Sequence, residues 1–309
     1  MKGSETMRRM FWLVLALALL LTVPMSAAAL TRENAVANEG LIAAGMHNTS
    51  WIDQDGNVDA VGSFLLTPHS EYLFGPSWEN VSKITAHHQT IRLKDDGTVD
   101  IAGEYDYARF DVTQWRDIID IDANECNIIG LKADGTVAIT GMDDHNQCDV
   151  SEWKNIVDVA VGTYASYGLK SDGTVVATGN NYWDQLEVDR WKDIVSISAG
   201  VYHVMGLKSD GTVVVAGNSP HAIMRTSDWK DIVSISAGAN HCLGLRSDGS
   251  VVATGDNGYW QCEVPETSDI VAIDAGFYHN VFLTSDGQIL AFGNDGSGQC
   301  IIREDKIFR

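Results

Sequence analysis

The side chains best placed for chemistry in this sequence are rings rather than acids, bases and nucleophiles in catalytic spacing. Tyr105, Tyr107, Tyr182, Trp183, Tyr259 and Trp260, with His145 and His221, fall in one set of short polar segments. Tyr164, Tyr202, Phe277 and Tyr278 fall in a second set. Tyr107, His145, Trp183, His221 and Tyr259 each stand 10 residues after the glycine of an Asp-Gly pair. Clustered Tyr and Trp have the composition of an interface core, and sugars stack on the same ring faces. These twelve residues are the candidate partner-binding set, for a protein first and a glycan second.

The other chemistry-bearing residues point to structure. No His-Glu-x-x-His, Gly-x-Ser-x-Gly or phosphate-loop motif occurs. The reading is therefore a non-enzyme, with no catalytic residues, no metal and no cofactor. The abundant carboxylates leave a paired-carboxylate polysaccharide hydrolase or lyase as a further alternative, although Asp95-Asp96 and Asp143-Asp144 fall at turns. His203, His241 and His279 occupy one repeat position, which holds Asn48, Gln89, Asn127 and Ala165 elsewhere. Spread around a ring, they cannot converge on a metal, and they predict hydrogen bonds to a neighbouring loop. Cys148, Cys262 and Cys300 share an apolar slot with Phe110, Leu186 and Met224, so the five cysteines read as unpaired core thiols.

The elements that position these residues follow from a repeat. Asp-Gly recurs with glycine at 56, 97, 135, 173, 211, 249 and 287, an interval of 41 residues followed by five of 38. A period of that length is one supersecondary unit. Each copy holds three β-rich runs, such as Ile194–Ala199, His203–Lys208 and Thr212–Ala216, and a weaker fourth at Gln185–Val188 or Gln261–Val264. Asp-Gly between the second and third runs predicts a two-residue type I′ hairpin. The runs are apolar on both faces, as packed blades require. The fold class is all-β, a seven-bladed β-propeller of four-stranded antiparallel blades with about 38 residues per repeat. In such a meander the Asp-Gly hairpins lie on one rim. The first-to-second and third-to-fourth links, which carry the rings, lie on the other. Trp115, Trp153, Trp191 and Trp229 recur at 38-residue spacing just before each first strand and read as scaffold.

Ala-Gly-x-x-His at Ala199–His203, Ala237–His241 and Ala275–His279 precedes Gly-Leu-x-Ser-Asp-Gly in the clearest copies. With Gln147-Cys148, Gln185-Leu186, Gln261-Cys262 and Gln299-Cys300, this pattern resembles the regulator of chromosome condensation repeat over roughly residues 38–303. The resemblance implies a seven-bladed propeller. The short units and eroded Gly-Gln-Leu-Gly element depart from the nuclear members and disfavour their guanine-nucleotide exchange activity. In architecture the chain is similar to secreted seven-bladed beta-lactamase inhibitory proteins.

Lys2, Arg8 and Arg9, an apolar run from Met10 to Val23, and Ser26-Ala27-Ala28-Ala29 form a secretory signal pattern. The expected organisation is a signal peptide at 1–29, an N-terminal segment at 30–37 and the propeller at 38–309. The expected location is extracytoplasmic or secreted, with an uncleaved N-terminal anchor as the alternative. The chain carries 42 acidic against 21 basic residues, a net charge of −21. That balance argues against nucleic acid, whose affinity needs Lys and Arg on phosphates. It suits a soluble monomer with no stable membrane span after cleavage.

Overall fold

A computed structural model describes residues 30–53, 56–62, 80–102, 110–217 and 224–302. The signal-like segment, the long loop of the first repeat and Tyr105, Tyr107 and His221 lie outside the described residues. Seven antiparallel sheets follow one another along the chain, each made of three consecutive strands, and they form the seven blades. The first strands pack against one another around the axis: Ile42–Ala44, Val81–Ala86, Ile118–Ala123, Ile156–Gly162, Ile194–Ala199, Ile232–Ala237 and Ile270–Ala275. Middle and outer strands, such as His203–Lys208 and Val213–Gly217 of blade 5, lie progressively further out.

Two expectations are corrected. Among the described residues the fourth run is not a strand, and the sheets have three strands rather than four. In blade 4 that segment is a series of turns: Glu187 donates to the Asp184 carbonyl (3.3 Å), Val188 to Leu186 (2.8 Å) and Trp191 to Val188 (2.9 Å). Its backbone groups are met locally, which removes the need for a ladder partner. The Asp-Gly hairpins are three-residue loops rather than two-residue type I′ turns. Lys170 donates to Thr174 (2.8 Å) and Gly173 to Lys170 (2.9 Å), with Gly173 at φ +80°. A type I′ turn needs positive φ at both central residues. Here only the glycine adopts it, and Asp172 instead accepts from the Thr174 amide (3.0 Å) and hydroxyl (2.6 Å). Five of the loops also dock on the next blade, as when Ile194 donates to the Gly173 carbonyl (3.1 Å).

The inner strands are stitched across blade junctions. The channel-facing edge of an inner strand leaves amide groups without a ladder partner. Side chains of the preceding blade accept from them: Asp122 from Val161 (2.8 Å), Asp158 from Ile197 (3.0 Å), Ser198 from Ala237 (2.9 Å) and Ser236 from Ala275 (2.9 Å). The ring closes by the same device, with Asp274 of blade 7 accepting from Ala44 of blade 1 (2.7 Å). These acceptors line a narrow central channel. Enclosure by the inner strands pushes the carboxyl of Asp122 up to about 7 and that of Asp274 up to about 6. Lys83 enters the channel from blade 2 and pairs with Asp120 (2.6 Å).

The N-terminal segment crosses the channel's lower mouth. A short helix, Arg32–Ala37, is held there. Leu30 donates to the Ser247 carbonyl (2.7 Å), the Arg32 guanidinium to Val195, Asn38 Nδ2 to Val271 (3.4 Å), and the Gly40 carbonyl accepts from Ile84 (2.9 Å). The segment thereby spans blades 6, 5, 7 and 2.

A second belt joins the middle strands. His203 Nε2 meets Cys242 Sγ (3.2 Å), His241 Nε2 donates to Asn280 Oδ1 (2.6 Å), and His279 Nε2 meets Thr49 Oγ1 (2.9 Å). The repeated imidazoles thus bind the next blade's middle strand rather than a neighbouring loop. Burial drives them down to about 3, 4 and 3 respectively, so they stay neutral. All five cysteines are free. Cys242 is buried, but Cys148, Cys262 and Cys300 are half-buried rather than core. Their thiols donate to the Met142, Asp256 and Asn294 carbonyls (3.3, 3.2 and 3.4 Å).

The repeated tryptophans each cover a glycine of their own blade's middle strand. A Cβ on Gly206 would lie 2.7 Å from the Trp191 ring, and one on Gly168, Gly130 or Gly244 would strike Trp153, Trp115 or Trp229 as closely. Gly206→Ala therefore overpacks blade 5 and is expected to cost about 1–3 kcal/mol, read as a lowered Tm. His241→Asn places at blade 6 the residue found at positions 48 and 127. The unfolded His binds protons below about pH 6.5, whereas the folded one resists until about 4. Wild-type stability from this group is therefore complete above 6.5 and lost as pH falls toward 4. Asp122 and Asp274 act oppositely over an overlapping window, in wild type and variant alike. The variant is expected to be less stable at neutral pH, with a gap that narrows between about pH 6.5 and pH 5 in thermal unfolding.

Candidate binding rim

The rim opposite the Asp-Gly loops is built by the same contacts in successive repeats. The outer strand of blade 4 ends at Gly179, with φ +121°, where a Cβ would lie 2.4 Å from the Tyr164 carbonyl. Asn180 then donates to that carbonyl (2.8 Å), which lays the following loop over the inner-to-middle link. Asn181 Oδ1 accepts from the Leu186 amide (2.8 Å), and buried Gln185 Oε1 accepts from the Trp183 amide (2.8 Å). Gln147, Gln261 and Gln299 hold the amides of His145, Tyr259 and Ser297 identically (2.9, 2.7 and 2.9 Å). The Gln of the repeat motif is thus the support that fixes each rim residue from below.

On this support the rings meet across blade boundaries. Tyr182 packs edge-on to Trp183 (centroids 5.0 Å apart), Trp183 to Tyr202 (5.8 Å), Tyr202 stacks on Tyr164 (5.9 Å), and Tyr164 meets His145 (5.6 Å). A second run joins Tyr259 to Tyr278 (4.8 Å), Tyr278 to Phe277 (4.5 Å) and Phe277 to His87 (5.6 Å). The structure brings together eight of the nine described candidate residues in these two runs. The ninth, Trp260, stands beside Tyr259 with 69% of its surface exposed; Tyr182 is 78% and Tyr259 46% exposed.

Sequence reasoning missed His47 and His88, which extend the second run: His87 meets His88 (4.8 Å) and His88 approaches His47 (6.3 Å). The signal was present, because His47 and His88 occupy the repeat column that holds Tyr164, Tyr202 and Tyr278. Burial and the neighbouring imidazole drive His87 down to about 3 and lower His47, so these rings are neutral at neutral pH. Among the described residues, no group of three or more His, Cys, Asp or Glu side chains could hold a metal.

Trp260 also has a strained backbone. Its φ is +67°, in a column where Asn146, Asp184 and Gly298 occupy the same left-handed conformation at +61°, +60° and +76°. Asn, Asp and Gly tolerate it, whereas a bulky ring there is an outlier that commonly marks a functional site.

Residues 156–182, 194–222, 232–261 and 270–299 match the Regulator of chromosome condensation (RCC1) repeat family. No curated protein matches the sequence. The crystal structure of the CRINKLY WD40 ectodomain of the Arabidopsis thaliana receptor kinase ACR4 is similar, with TM-score 0.66 and 16% identity over 82% of this chain and 95% of that one. Human WBSCR16 is similar with TM-score 0.61 and 15% identity, over 79% of this chain and 85% of that one. Prp20p from Saccharomyces cerevisiae has TM-score 0.60 and 16% identity, over 76% and 80%. At these identities the likeness is one of fold.

Trp260→Asn should relieve the left-handed strain and raise folding stability by about 1 kcal/mol. Denaturant unfolding measures it, and a loss of stability would show that the exposed ring packs usefully on its own loop.

Proposed function

We propose that this chain, a seven-bladed propeller carrying regulator of chromosome condensation repeats, is an exported, non-enzymatic protein that binds a protein partner through its aromatic rim. The observation that carries the reading is the pair of ring runs, held on buried glutamine supports and left uncovered at Tyr182, Tyr259 and Trp260. Rings fixed before binding lose little entropy when a partner covers them. In four repeats the rim loops vary while their glutamine supports do not, the pattern of a rigid scaffold presenting a specific surface. Export rests on the basic, apolar and small-residue segments of residues 1–29. Prp20p is described with binding properties to Gsp1p and histones, and protein binding on this fold is consistent with that. The acidic balance and the signal-like segment weigh against nuclear nucleotide exchange. A carbohydrate partner remains the second reading, because the same exposed rings could stack on sugars.

The chain with an affinity handle, incubated with culture supernatant, is expected to retain a stoichiometric polypeptide. Tyr182→Ala, Tyr259→Ala and Trp260→Ala together should abolish that capture with the Tm unchanged or raised. Capture that survives the triple change would put the binding face elsewhere, and a glycan-array signal lost in the variant would favour the carbohydrate reading.

A further inference from the structure

The rim is electrostatically one-sided. In its described segments, Asp143, Asp144, Asp184, Glu187, Glu263 and Asp295 are exposed carboxylates, against a single exposed cation, Arg225, in the repeat column of Glu187 and Glu263. The basic residues gather at the opposite rim, where Lys170, Lys208 and Arg246 lead into the Asp-Gly loops and Lys192 and Lys230 follow tryptophans, mixed there with acids. Among the described residues, none of these six carboxylates forms an ion pair with Lys or Arg. The channel beneath is lined by the Asp122 and Asp274 carboxyls, which burial makes hold their protons more tightly than an ordinary carboxyl. A surface dominated by one sign attracts the opposite charge over distance and selects it on contact.

Rings among these acids sharpen the expectation. Ammonium and guanidinium groups bind over Trp and Tyr faces, and Trp260 projects its exposed ring from a loop that also carries Asp256 and Glu263. That ring is kept on a backbone conformation that suits Asn or Gly better, which argues that the ring itself is used.

We propose that the rim's occupant is a cationic polypeptide surface, with Lys or Arg spaced among apolar side chains, and that Trp260 is a principal contact for its cations. The inference rests on the rim being the binding face. It specifies the partner's charge.

Fluorescence anisotropy of labelled peptides alternating Lys-Leu, Glu-Leu and Ser-Leu, titrated with the full chain, tests it. The Lys-Leu peptide is expected to bind best, and less tightly as salt rises. Asp184→Asn, Glu187→Gln, Glu263→Gln and Asp295→Asn combined should weaken it roughly tenfold or more. Glu152→Gln, Asp189→Asn, Asp228→Asn and Glu266→Gln remove equal charge from the opposite rim and should change it little. Trp260→Asn should weaken binding without lowering the Tm. Equal loss from both charge sets, or Ser-Leu binding as tight as Lys-Leu, overturns the inference. Ser-Leu binding that is lost on Trp260→Asn would overturn the charge claim and leave the rim as the binding face. Lys-Leu binding indifferent to Trp260→Asn and equally reduced by both charge sets would overturn the rim reading as well.

Discussion

The structure depends on one contact made at each of five blade junctions: a side chain on an inner strand accepts a hydrogen bond from the backbone of the next inner strand. Asp122, Asp158, Ser198, Ser236 and Asp274 play this part. An inner strand is an edge strand, and its free amides would otherwise face the channel without a protein partner. The acceptors are short, which keeps their oxygens beside the neighbouring strand. The last of these contacts joins blade 7 to blade 1 without any strand exchanged between the chain termini.

That solution has an electrostatic consequence. Where the acceptor is Asp rather than Ser, a carboxyl is placed inside a narrow channel, where burial strips away its hydration. Asp122 and Asp274 respond by holding protons more tightly than an ordinary carboxyl. The lower mouth is crossed by the N-terminal segment around Arg32–Ala37, and the upper mouth lies in the middle of the ring-bearing rim. The contacts that close the propeller therefore also place titratable carboxyls beneath the face proposed to bind.

The rim shows how a repeat keeps a site rigid while letting it vary. Gln147, Gln185, Gln261 and Gln299 are buried and do the same work in four blades. The residues they support are His, Trp, Tyr and Ser. A fixed acceptor below and a free side chain above separate the folding requirement from the binding one. Trp260 is the departure, a ring placed where the fold prefers Asn, Asp or Gly.

Much of this was legible in the chain. The 38-residue period, the count of seven, the glycine-dependent loops, the scaffold role of Trp191 and its equivalents, and the ring-rich character of one rim are local or periodic properties that the columns of the repeat record. Errors came where a local signal had two structural solutions. Asp-Gly fits both a two-residue and a three-residue hairpin, and only the position of the Lys170–Thr174 pair separates them. The Gln185–Val188 run fits a weak strand until its own turns consume its backbone groups. Tertiary structure alone decided how the ring closes, which rings touch and where Trp260 points its backbone. Those outcomes depend on residues about 39 positions apart, or on the two ends of the chain, and the angle between neighbouring blades sets their distances. By itself the sequence determined the blade and the residues that each rim would carry. The packing of one blade on the next determined the surface.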